Sequence, residues 1–161
     1  MTNLLKNPGF EGVYRAWNGI AEISIAEGWL PFWVERRPGD EEWKNRRPVY
    51  RAAPRAVDPN RVRSGQLAQA YFTSWATHAA GLMQQADVTP GQLLRFSAYG
   101  HAWSTNEDSP DKSVDPGIVR MKIGIDPTGG ATPFGPNVVW STEKTVYDRY
   151  DDGFMVEATA Q

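Results

Sequence analysis

The sequence predicts an all-β protein, an antiparallel β-sandwich or jelly roll, on three observations. Apolar and polar residues alternate with a period of two in several segments, the mark of a strand with one buried and one wet face. Gly and Pro are abundant, at 15 and 12 of 161 residues, and fall between those segments as punctuation. Hardly any window combines freedom from Gly and Pro with apolar residues at i, i+3, i+4 and i+7, so no helix is predicted.

The elements follow in order. Strands are predicted at 3–5, 21–26 and 33–36. The stretch 38–60 is polar and Arg-rich and reads as a long loop, with at most a short strand around 49–52. A strand at 66–73 comes next. The Ala-rich stretch 67–83 is the best helical window, yet it carries Tyr71, Phe72, Thr73, Trp75 and Thr77, which favour strands. Strands at 81–88 and 92–103 flank the tight Thr89-Pro90-Gly91 turn. On the second of these, Leu93, Arg95, Ser97, Tyr99, His101 and Trp103 share one face. Val119, Met121, Ile123 and Ile125 alternate with polar or small neighbours over 118–126, before Asp126-Pro127-Thr128-Gly129-Gly130 stops the strand. Strands at 138–141 and 154–161 complete about nine short strands, the count of a sandwich.

The length fits one domain, 1–161, since domains commonly run to about 100–200 residues. The last strand stops in mid-alternation at Gln161. The chain is therefore expected to be cut from a longer protein, with an open sheet edge that invites a dimer. The absence of Cys excludes a disulfide scaffold, a thiolate zinc site and a Cys nucleophile. A net charge of −2 and a pI near 5.7 argue against nucleic acid as partner. No apolar run approaches the roughly 18 residues that span a membrane. Charge is uneven: residues 1–80 carry net +3 and residues 81–161 net −5.

Seven Trp exceed what a small core requires. Trp29 and Trp140 are assigned to the core. Trp33, Trp43, Trp75 and Trp103, with Tyr50 and Tyr99, are the candidate aromatic ligand platforms. Glu35, Arg47, Arg51, Gln85 and His101 are the candidate polar contacts. A sugar ring offers apolar C–H patches to an aromatic face and hydroxyls to carboxylates, amides and guanidinium groups. The expected function is non-catalytic binding of a polysaccharide or oligosaccharide. The alternatives are a structural or protein-interaction sandwich and a small glycoside hydrolase. The last needs two carboxyls about 5–9.5 Å apart, and no local motif pairs any. The oxygen-rich stretch Asn106, Glu107, Asp108, Asp111 and Asp115 lacks calcium-loop spacing and reads as a solvated turn.

The opening Asn3-Leu4-Leu5-Lys6-Asn7-Pro8-Gly9-Phe10-Glu11 resembles the start of carbohydrate-binding modules of the galactose-binding-like jelly-roll class. Gly28-Trp29, the Val62–Ala68 stretch (Val-x-Ser-Gly-x-x-Ala) and the step from Gln84 or Gln85 to Gly91 extend the likeness over about residues 3–104. The resemblance implies a galactose-binding-domain-like fold and carbohydrate binding. It also implies an extracellular setting within a larger bacterial protein, and a structural calcium with Glu11 as a ligand. The acidic companion of that Glu in the family's final strand is absent here.

Overall fold

The computed structural model describes residues 2–150 and 153–161. It is all-β. Among the described residues there is no α-helix, only a single 3-10 turn at Pro59–Arg61, and no helix is long and apolar enough to cross a membrane. The chain divides into two compact units, Met1–Ala86 and Asp87–Gln161.

The first unit holds six strands: β1 (Tyr14–Trp17), β2 (Ile20–Ala26), β3 (Leu30–Trp33), β4 (Val49–Pro54), β5 (Leu67–Phe72) and β6 (Ala80–Met83). Strands β1 and β2 form a hairpin that the sequence reading missed. Asn18 and Gly19 both take left-handed φ, 49° and 76°, as a two-residue turn matching strand twist requires. A four-stranded sheet runs β1-β2-β4-β5. Its β2–β4 contact is parallel and rests on one pair, Ile23 with Tyr50, so the wholly antiparallel arrangement predicted from sequence is corrected here. The Gln69 side chain compensates for this short ladder. Its amide accepts from Ala26 N at 2.9 Å and donates to Ser24 O at 3.1 Å and Arg51 O at 3.2 Å, linking both strands.

Strands β3 and β6 pair separately, with Phe32 opposite Gly81. A Cβ on Gly81 would strike the Phe32 ring, so the missing side chain is what lets that ring lie across β6. The core is Ile23, Ile25, Ala26, Trp29 and Tyr50. Tyr50 and Tyr71 face each other across β4 and β5 and stack at 5.2 Å. The Tyr50 hydroxyl donates to Phe32 O at 2.7 Å, tying the β3–β6 pair to the larger sheet. Trp29 is in the core, as its turn-flanked position predicts, and its indole nitrogen donates to Asn7 O at 2.9 Å.

The second unit holds β7 (Leu93–Ala98), β8 (Gly124–Ile125), β9 (Val139–Trp140) and β10 (Phe154–Thr159). Strands β7 and β10 pair antiparallel, from Phe154 with Ala98 to Thr159 with Leu93. Phe154 and Val156 are buried while Met155, Glu157 and Thr159 face solvent, the alternation read from sequence. The Arg95–Glu157 pair closes at 2.7 Å on the wet face. The strand predicted over 118–126 contracts to Gly124–Ile125. Its first half keeps only an isolated antiparallel bridge between Met121 and Lys144, and side chains take the rest: Val119 N donates to Tyr147 Oη and Val119 O accepts from Thr145 Oγ1. No strand forms at 3–5.

Candidate ligand-binding site

The site lies in the first unit, where the chain leaves β3 and returns in β4 through a long loop. Local chemistry folds this loop on itself. Asp40 accepts from Lys44 Nζ at 2.9 Å and from Arg37 N at 3.1 Å, and these two bonds hold its carboxyl below the usual carboxylate range. The loop then docks by main chain onto residues 73–78. Thr77 N donates to Trp43 O at 2.8 Å, and Arg46 N donates to Thr77 O at 2.9 Å. Arg46 Nη1 adds a bond to Ser74 O at 3.2 Å.

This docking leaves two indoles in water. Trp43 is 47% exposed and Trp75 is 82% exposed. Trp75 also sits at φ +51°, a left-handed conformation that bulky residues avoid at a cost of roughly 1–2 kcal/mol. The surrounding turn enforces it, with Thr73 Oγ1 donating to Ala76 O at 2.9 Å. Thr73 Oγ1 also meets His78 Nδ1 at 2.9 Å, and the His78 ring stands edge-on to Tyr71 at 5.9 Å. Burial there pushes the imidazole pKa down.

In the same loop, Glu35, Arg36, Glu42, Asn45, Arg46 and Arg47 line an open cleft of about 370 Å³, within the size range of small-ligand sites. The Trp33 indole nitrogen donates to Glu35 Oε1 at 2.7 Å and fixes that carboxylate at the cleft wall.

Five of the predicted site residues therefore belong to this loop cluster: Trp33, Glu35, Trp43, Arg47 and Trp75. Tyr50 does not. It is 1% exposed, packed in the core and hydrogen-bonded to Phe32 O, so the ligand role read for it from sequence is corrected. Burial also pushes its phenol pKa up. Arg51 is exposed on β4, with its guanidinium 5.2 Å above the Phe72 ring and outside the cleft lining. Gln85 is exposed just beyond β6, also outside it. Its neighbour Gln84 is structural: it accepts from Lys6 N at 2.6 Å and donates to Gly28 O at 2.8 Å.

Tyr99, His101 and Trp103 belong to the second unit. Strand β7 ends at Ala98, so they do not continue its face as predicted. Tyr99 is exposed, His101 packs beside Tyr150 at 5.1 Å, and the Trp103 indole nitrogen donates to Ser109 O at 3.1 Å and Lys112 O at 3.2 Å. The same unit carries an aromatic pair outside the predicted set, an exposed Phe134 and a half-buried Trp140 that does not join the core assigned to it from sequence. Phe134 stacks on Trp140 at 5.7 Å, and Lys122 Nζ lies 4.5 Å from the Trp140 ring.

The candidate set read from sequence does not include Arg36, Glu42, Asn45 and Arg46, although Arg36 and Arg46 fall in the run of basic residues over 36–63 that marks a possible site for an anionic ligand. The available signal was the Arg36-Arg37 and Arg46-Arg47 doublets near the two ends of the loop.

Glu11 Oε1 accepts from Gln66 N at 2.9 Å and from Leu67 N at 3.2 Å. Two N–H donors aimed at this oxygen serve the chain and do not suit a cation there. Among the described residues no group of three or more His, Asp or Glu is placed to hold a metal ion. Searches against protein-family models, curated proteins and solved structures return no match to this chain.

Proposed function

We propose that the loop cluster around Trp43 and Trp75 binds carbohydrate without catalysis. The observation that carries this reading is Trp75, an indole held in water at a left-handed φ by a segment tied to the Trp43 loop through both main-chain groups of Thr77. An exposed indole buries apolar area when a sugar face stacks on it, at roughly 25 cal/mol per Å². The adjoining Glu35, Asn45 and Arg47 supply acceptors and donors for ring hydroxyls. Shallow sites of this kind bind weakly one at a time and gain avidity in a multivalent parent. In this reading the sheets form a jelly-roll sandwich that serves a secreted bacterial protein. A calcium ion at Glu11 would rest on the family resemblance alone.

Isothermal titration against a panel of polysaccharides tests the reading. Binding that falls at least tenfold in Trp75→Ala and in Trp43→Ala, with the melting temperature within a few degrees of the parent, supports it. Silence across the panel refutes it. Glu35 and Glu42 are the two carboxylates in the cleft. Release of reducing sugar that stops in Glu35→Gln would replace it with the hydrolase reading.

A further inference from the structure

Three arginines, Arg36, Arg46 and Arg47, line the cleft with only two acidic residues, Glu35 and Glu42. None of the five lies within ion-pair distance of an opposite charge among the described residues, although nearby Lys44 and Asp40 do pair, at 2.9 Å. The carboxylates are therefore not there to neutralise the arginines. Glu35 is engaged by the Trp33 indole. Arg46 spends one nitrogen on Ser74 O. Neither the Arg36 nor the Arg47 side chain engages a hydrogen-bond or ion-pair partner among the described residues. The first unit carries 11 Lys and Arg against 8 Asp and Glu, so the wider field adds to the local excess.

We infer that the saccharide recognised here is anionic, a polysaccharide whose rings carry carboxylates. The inference rests on the carbohydrate-binding reading and narrows it. A planar guanidinium fork matches a carboxylate through two parallel N–H···O bonds, stronger and more directional than bonds to neutral hydroxyls. Arg36 and Arg47 take the carboxylates, and Trp43 and Trp75 take the apolar faces of the rings. Glu35 and Glu42 accept from ring hydroxyls. That last feature favours a sugar over a nucleic acid, whose phosphodiester backbone offers few such hydroxyl donors.

The test titrates the full chain with polygalacturonate, heparin, a neutral mannan and a single-stranded oligonucleotide, at low and at raised NaCl. Polygalacturonate is expected to bind most tightly. Its affinity should fall with added salt and drop about tenfold in each of Arg36→Ala and Arg47→Ala, the loss of one charge-assisted contact. Arg47→Lys should recover only part, because it restores charge without the fork. Heparin binding more tightly than polygalacturonate would assign sulfate and overturn the carboxylate assignment. Equal, salt-insensitive binding of mannan that is still lost in Trp75→Ala would overturn the anionic inference and leave carbohydrate binding standing. No binding to any glycan would overturn both. Oligonucleotide binding above all glycans would replace the ligand class. The melting temperature of each variant separates lost contacts from lost folding. If an alanine variant unfolds, Arg36→Gln and Arg47→Gln carry the same comparison.

Discussion

The carboxylate of Glu11 occupies the space into which a side chain on residue 65 would project. A Cβ built on Gly65 collides with Glu11 Oε1, and Gly65 itself has φ +70°. The Asn7–Glu11 turn thus locks onto the approach to β5 through an oxygen that accepts two main-chain N–H groups. Gly65→Ala must displace the carboxylate and adopt a left-handed conformation. It should destabilise the protein by about 2–4 kcal/mol. Glu11→Ala leaves the same two donors without a charged acceptor and should cost about 1–3 kcal/mol. Thermal unfolding checks both, at roughly 4–8 °C per kcal/mol for a unit of this size. Unchanged melting in both variants would show the latch to be idle.

Tyr50→Phe isolates one bond. It keeps the stack on Tyr71 and removes the hydroxyl that donates to Phe32 O at 2.7 Å and also reaches Gly81 O at 3.3 Å. A loss of about 1–2 kcal/mol is expected, with glycan affinity unaltered because the ring never reaches solvent. Tyr50→Ala, which also empties the core, should cost about 3–5 kcal/mol. A Tyr50→Phe variant that binds glycan tenfold less well at unchanged stability would put Tyr50 back in the site.

His78 sets a pH dependence. Its folded-state pKa is lowered by burial, so the unfolded chain binds a proton more readily than the native one as pH falls below the unfolded value, about 6.5. Native stability should therefore decline from neutral pH toward pH ~5 as the imidazole charges. The turn that carries Trp75 shares Thr73 Oγ1 with this ring, so glycan affinity should hold while the native imidazole stays neutral and weaken only at lower pH, once the folded-state ring itself charges. Melting curves of the parent and of His78→Gln at pH ~7 and ~5 provide the check. The parent should lose more than the variant, and an equal loss in both would remove His78 from the account.

Trp33→Phe removes the donor that fixes Glu35 and keeps most of the ring packing beside Tyr50. Glycan affinity should fall a few-fold, with a small change in melting temperature. Trp33→Phe combined with Glu35→Gln should be no weaker than Glu35→Gln alone, since the indole acts through the carboxylate. Additive losses would mean that Trp33 touches the ligand itself.

Strand periodicity was legible where both faces of a ladder follow from side chains. The alternations through Leu94, Phe96 and Ala98 and through Phe154 and Val156 became the two halves of one sheet. The same signal misled over 118–126. Ile118 is 80% exposed, and hydroxyls from Tyr147 and Thr145 take the backbone groups of Val119 that a neighbouring strand would have used. Alternation reports a two-faced segment but not what binds its main chain. The loop cluster was half legible. Polar, unpatterned surroundings marked Trp43 as exposed, whereas Tyr50 looked equivalent until β5 placed Tyr71 directly opposite it. The arginine doublets were visible, but their meeting in one cleft depends on Thr77, a residue with no distinguishing sequence context.

The β7–β10 sheet has a consequence for the order in which the protein is made. Arg95 and Glu157 sit opposite one another yet lie 62 positions apart in the chain. At about 5–20 residues per second, a ribosome releases β7 roughly 3–12 s before its partner strand exists. Every strand of the first unit, by contrast, has its partner within Met1–Ala86 and can close while translation continues. For those seconds the Leu94 and Phe96 face waits uncovered. The interval in which this chain is open to wrong pairing therefore follows closure of the first unit, in the unit that does not carry the arginine-lined cleft.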